Sequence, residues 1–200
     1  MGAKIKMMSA AVLTSGMLLS GAATAGGASA DAISYTCAGC HGFNGNSTGP
    51  ATPTIAGASQ EYITETMKGY KDGSIASTVM GRIAKGYSDE QFDQMGEFFA
   101  KQKPVAAKQE FDAKLATKGA KFHDKYCEKC HAEGATSAED DSGILAGQWT
   151  PYLEYTLSDY HAGTREMGKK MKKKIKKLNK KEGDAGMEAL LNFYASAGSK

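Results

Sequence analysis

Apolar residues recur along this chain at helical spacing. Tyr62, Ile63, Met67 and Tyr70 share one face of a helix predicted over 60–70, with Gly69 and Gly73 bracketing its end. Ser88, followed by Asp89 and Glu90, gives a cap and an acidic first turn. The helix it opens carries Phe92, Met95, Phe98 and Phe99 on one side. A longer helix is expected over 110–126, another capped by Thr150 with Pro151 at its first position, and a closing one over 184–195. Residues 42–58, rich in Gly, Pro, Asn and Thr, read as loop. Nothing alternates with period two over a useful length, so the fold class is all-α.

The pattern also repeats. An offset of 90 carries Gly57 onto Gly147, Tyr62 onto Tyr152, Tyr70 onto Tyr160 and Gly73 onto Gly163. A sustained register of this kind indicates two tandem domains. They are expected over 31–103 and 104–200, divided where Pro104 interrupts a helical pattern.

The same offset superposes two pentapeptides, Cys37-Ala38-Gly39-Cys40-His41 and Cys127-Glu128-Lys129-Cys130-His131. C-x-x-C-H is the attachment motif of c-type haem. On a helix, positions i, i+3 and i+4 lie on one face, so two thiols and an imidazole can meet a single flat macrocycle. A dithiol or half of a zinc site is the alternative for Cys-x-x-Cys alone. Here all four cysteines of the chain fall in the two copies and each copy ends in histidine. The reading is two covalently bound haems c, with His41 and His131 as axial iron ligands.

Thioether sulfur on the opposite side of the iron raises its reduction potential and suits an electron carrier. Met67 and Met95 lie on helical core stripes and read as packing, whereas Met80 lies off a regular stripe and is the expected ligand of the first half. The second half offers Met167, Met171 and Met187. Met171 is followed at +4 and +7 by Ile175 and Leu178, as Met80 is by Ala84 and Tyr87. Met167 would turn Lys174 inward, so Met171 is preferred. His123 and His161 read as ordinary surface or haem-flanking residues.

The chain has 200 residues, 25 Lys and Arg against 22 Asp and Glu, and a formal charge of +3. Lys4 and Lys6, an apolar stretch over 7–20 and small residues at Ala23-Thr24-Ala25 and Ala28-Ser29-Ala30 read as a secretory signal peptide over 1–30. The apolar stretch is too short to span a bilayer, no later segment is long enough, and nucleic-acid binding does not fit an exported protein. Residues 169–181 contain nine lysines, either a solvated helix face or a docking face for an acidic electron acceptor. No catalytic triad, phosphate loop or carboxylate pair stands out, so the chemistry is the cofactor's.

At these residues the chain resembles a known family. Two tandem class I cytochrome c domains of this size are similar to the dihaem cytochrome c-four class. Residues 77–89, Ser-Thr-Val-Met-Gly-Arg-Ile-Ala-Lys-Gly-Tyr-Ser-Asp, and 145–155, Leu-Ala-Gly-Gln-Trp-Thr-Pro-Tyr-Leu-Glu-Tyr, look more specifically like the cytochrome subunit of flavocytochrome c sulfide dehydrogenase. The resemblance implies a periplasmic electron-transfer subunit. Its partner would be an FAD-containing flavoprotein that oxidises sulfide. It also implies a Gly-Pro carbonyl that orients each ligand histidine. Gly49-Pro50 fits, but Asp140-Asp141-Ser142-Gly143 has no proline and leaves the carbonyl for His131 open. Two other readings stand beside this one: a free dihaem shuttle between respiratory complexes, and a haem peroxidase, against which the methionine candidates count.

Overall fold

The computed structural model describes residues 28–139 and 142–199. The expected leader over 1–30 lies, apart from its last three residues, outside them, as do Asp140 and Asp141. The described residues form α-helices and short 3-10 turns, with no strand among them.

The first half contains α1 (Ala30–Tyr35), α2 (Ala38–His41), α3 (Gln60–Asp72), α4 (Met80–Ile83) and α5 (Asp89–Ala100). Ser29 caps α1 by accepting from Ala32 N, and Ser88 caps α5 in a full capping box with Gln91. Gly73 ends α3 in the left-handed region, at φ 84°, which glycine adopts without a Cβ clash. α1 and α3 both pack on α5, burying Ile33, Ile63, Met67, Phe92, Met95 and Phe99 in one core. Met67 and Met95 are thus packing residues, as their spacing indicated.

The second half contains α6 (Ala113–Tyr126), α7 (Ala132–Ala135), α8 (Thr150–Ala162), α9 (Lys169–Glu182) and α10 (Asp184–Ala195). Among the described residues α6 and α10 make the most extensive helix contact, around Phe122, Tyr126, Leu190, Leu191 and Tyr194, with Leu178 of α9 in the same core. At the crossing a Cβ on Gly119 would overlap the carbonyl of Ala189, so the two backbones touch.

Three local expectations differ. α6 starts at Ala113 because Asp112 caps it, accepting from Lys114 N and Leu115 N. The cap of α8 is Trp149, not Thr150, whose amide donates to Gln109 Oε1 at 2.9 Å. α1 lay in no predicted element. Met80, which lies off a regular helical stripe in the sequence, is the first residue of the short α4.

The repeat persists in the hydrogen bonds. Gly45 O accepts from Ile55 N and Ala56 N, and Ala135 O from Leu145 N and Ala146 N, the equivalent positions at the offset of 90. Gly57 and Gly147 both stand near φ 74°, and Gly163 ends α8 as Gly73 ends α3.

Residues 103–112 carry no regular structure but are held at several points. Asn46 bonds Lys103 O and Val105 N in the first half. Ala107 N donates to Gly147 O, Gln109 Nε2 to Gln148 O and Asp112 N to Asn192 Oδ1 in the second.

Candidate functional site

Both pentapeptides open onto one cavity of about 2160 Å³. That is more than twice the roughly 1,000 Å³ at the upper end for a single small-molecule pocket. Cys37 caps α2, Cys40 is exposed within it, and His41 ends it with 8 % of its surface exposed. Cys127 is the last residue of the α6 turn, with Cys130 exposed beyond it and His131 half-buried. All six line the cavity, which the two halves enclose together. Burial pushes the Cys37 and Cys127 thiols up, so both are protonated at neutral pH.

His41 Nδ1 donates to the Pro53 carbonyl at 2.8 Å, and His131 Nδ1 to the Gly143 carbonyl at 3.3 Å. These carbonyls are themselves related by the repeat. The acceptor in the first half is therefore Pro53, not the Gly49-Pro50 pair that the resemblance implied. Pro50 sits exposed in a turn, while the two bonds from Ile55 N and Ala56 N to Gly45 O bring the following segment to the ring. The missing proline of the second half is no obstacle, since the carbonyl of Gly143 occupies the equivalent place. Burial lowers the pKa of both histidines, against the raising effect of these bonds. Each imidazole is thus neutral, with Nδ1 engaged and Nε2 left to bind a metal.

Met80 and Met171 both line the cavity; Met167 does not. Met187, partly buried on α10, also lines it, as do the core residues Met67 and Met95. Met171 stands on α9 above Ile175 and Leu178, with Lys172, Lys173 and Lys174 exposed beside it.

The wall between the halves holds residues that spacing alone did not identify. Tyr62, Tyr70, Tyr152 and Tyr160 surround Arg165, whose guanidinium lies 5.2 Å from the Tyr160 ring centroid. Burial works against the charge of Arg165, and the neighbouring Tyr62, Tyr70 and Tyr160, whose hydroxyls burial keeps protonated, carry no charge to offset it at neutral pH. Among the described residues no carboxylate pairs with this half-buried cation. Haem carries two carboxylates, so Arg165 fits as their counter-charge. The tyrosines were visible as repeat partners, whereas Arg165 has Ile75 at its repeat position and gave no signal.

His161 is exposed, as expected. His123 instead has 0 % exposure, so of its two readings, surface or haem-flanking, the surface one does not hold. Its Nδ1 meets the Tyr194 hydroxyl at 3.1 Å and its Nε2 donates to Glu128 at 2.6 Å. Burial alone would raise the Glu128 carboxyl, but the bonds from His123, Gly134 N and Glu133 N hold it below the usual range. Glu128 thereby fixes the left-handed run Glu133, Gly134 and Ala135, which carries the chain away from His131.

A family model described as cytochrome c matches residues 26–104. The cytochrome subunit of sulfide dehydrogenase from Chlorobaculum tepidum is 49% identical over 67 residues, 34% of this chain and 60% of that protein, less than two thirds of its length. Cytochrome c4 from Pseudomonas aeruginosa is 30% identical over 169 residues, 80% of this chain and 83% of that one. The thiosulfate dehydrogenase electron acceptor of Thiomonas intermedia is 28% identical, covering 78% of this chain and 76% of that one. Among solved structures, reduced cytochrome c4 from Pseudomonas stutzeri superposes with a TM-score of 0.69 over 84% of this chain and 98% of that one, at 24% identity.

Proposed function

Because the chain belongs to the cytochrome c family, we propose that it is a dihaem electron-transfer subunit of the periplasm, taking electrons from a sulfide-oxidising flavoprotein and passing them to a further acceptor. The described residues are all helical, in line with the likeness to the cytochrome c4 structure, and membership of the cytochrome c family supports haem c as the cofactor. The observation that carries the dihaem reading is the pair of histidines, each tied back by Nδ1 to a carbonyl at the same repeat position and each facing the same cavity. Haem c supplies a one-electron iron couple when bound. Cys37 and Cys40 would hold one through thioether bonds and Cys127 and Cys130 the other. His41 and His131 would offer Nε2 to the iron, each held in place by its Nδ1 bond to a backbone carbonyl. The two domains are assigned to 31–103 and 104–200, after a leader over 1–30.

Met80 and Met171 are the proposed distal ligands. Met171 is supported by its place on the cavity wall, which Met167 lacks. The oxidised protein should show the weak sulfur-to-iron charge-transfer band, and Met171→Ala should remove about half of it, since two similar sites contribute. Loss of the band in Met167→Ala instead would assign the other register.

Electrons are proposed to enter through the first half and leave through the second. The run over 74–79 beside Met80 is uncharged and presents Val79 at 46 % exposure, and stable interfaces are depleted in charge at their cores. The lysines beside Met171 suit brief docking steered by opposite charge and screened by salt. Changing Lys172, Lys173 and Lys174 together to Glu should leave reduction by flavoprotein and sulfide intact and slow turnover with an acidic acceptor at least tenfold at low salt, in line with the range of electrostatic steering. Release of the flavoprotein by this variant would reverse the assignment of faces. The experiment that tests the whole reading is co-purification of the native chain with an FAD protein whose sulfide-dependent reduction of the cytochrome needs both subunits. A chain recovered alone, and reduced only by respiratory donors, would favour the free shuttle, which the longer match to cytochrome c4 supports.

A further inference from the structure

Gln148 lies in the second half, is only 7 % exposed, and spends its side chain on the first. Its Oε1 accepts from Thr54 N at 3.0 Å and its Nε2 donates to Thr54 O at 2.9 Å. Thr54 follows Pro53, whose carbonyl accepts from His41 Nδ1. The Pro53 carbonyl and the Thr54 amide belong to one planar, trans peptide unit and point in opposite directions. A single rigid plane therefore has Gln148 on one edge and the candidate iron ligand on the other.

Two consequences follow from that geometry. The plane cannot rotate without breaking a bond to Gln148, so the carbonyl stays aimed at the imidazole. Accepting from the amide edge also polarises the peptide and strengthens its carbonyl as an acceptor, since chained hydrogen bonds reinforce one another. A stronger acceptor at Nδ1 makes the imidazole a better donor at Nε2. Among the described residues the second half has no such device. The repeat position of Gln148 is Ala58, which has no polar side chain. Among the described residues the amide of Ile144, the counterpart of Thr54, has no acceptor. The bond lengths follow the same division, 2.8 Å at His41 against 3.3 Å at His131.

We propose that Gln148 is a positioning residue for the first iron site, acting across the junction of the halves to hold the Pro53–Thr54 peptide against His41 and so to set the reduction potential of the first haem below that of the second. This rests on the dihaem reading above. A more strongly donating imidazole stabilises the oxidised iron, which makes transfer from the first half to the second downhill.

The test is a redox titration of the holoprotein that resolves the two haems. Gln148→Leu, which keeps the volume and removes both bonds to Thr54 along with the Oε1 contact from Trp149 N, should shift the lower-potential wave upward and leave the other in place. Gln148→Glu, which restores an acceptor for Thr54 N, should return the first wave to its native position or below it. Trp149→Phe breaks a different bond between the halves, Nε1 to Ser47 O at 3.2 Å, and should move neither wave. Equal shifts of both waves, no shift in Gln148→Leu, or the same shift in Trp149→Phe would overturn the proposal. If Gln148→Leu does not take up haem, Thr54→Pro removes the same amide and is read in the same way. A wild-type chain with a single haem would contradict the dihaem reading instead, and its haem count separates that failure from this one.

Discussion

Replacing Cys127 and Cys130 together by alanine is expected to halve the haem content, from two per chain to one, in a pyridine haemochrome assay. The expectation follows from the separation of the two attachment points. Cys127 and Cys130 belong to the turn after α6, Cys37 and Cys40 flank and lie in α2, and each histidine takes its carbonyl acceptor from its own half. The first half keeps Cys37, Cys40, His41 and the Pro53 carbonyl untouched. The second half would keep His131 but lose both covalent anchors. Its core includes Tyr126, Leu153, Leu190, Leu191 and Tyr194, all of which line the cavity except where they pack on one another. Without its macrocycle that core faces an opening, and domains under a hundred residues have little stability to spare. Helical signal should therefore fall along with haem. One haem in the wild type, or two in the variant, would remove the basis of the dihaem reading.

The second large effect is structural. Gly119→Ala should destabilise the second half by about 3 kcal/mol, at the upper end for overpacking a tight core. The atom in the way is the backbone carbonyl of Ala189, and the Phe193 Cβ stands 2.8 Å from where the new methyl would be. Neither is the flexible end of a side chain, so α6 and α10 must separate. Gly49, whose Cβ would meet nothing within 4 Å, provides the control, and Gly49→Ala should be close to neutral. Urea unfolding of both variants measures the difference, and equal stabilities would mean that the crossing of α6 and α10 is looser than described.

Much of this architecture is legible in the sequence because the repeat is carried by local chemistry. Cys-x-x-C-H fixes a turn, and the glycines at 57, 73, 147 and 163 stand at positive φ where side chains are disfavoured. The long helices show through the phenylalanines of α5 and the apolar face of α10. α6 was drawn three residues too early, since periodicity does not show which polar residue will cap. Asp112 wins because its carboxylate reaches two free amides. The orienting carbonyl was misplaced for a related reason: a proline marks a turn, but only the bonds to Gly45 show which peptide reaches His41. His123, Arg165 and Gln148 were beyond reach. Gln148 and Thr54 are 94 residues apart, and no pattern along one helix records such a meeting.

The segment over 103–112 has a consequence for kinetics. A tether bound to Asn46 at one end and to Gly147, Gln148 and Asn192 at the other is no swivel. The two halves are tied by these bonds, so electron exchange between the two proposed haem sites would be a first-order event within one molecule. It would not wait for a diffusive swing, and neither dilution nor a more viscous medium should slow it. Encounter with a separate acceptor is slowed by both.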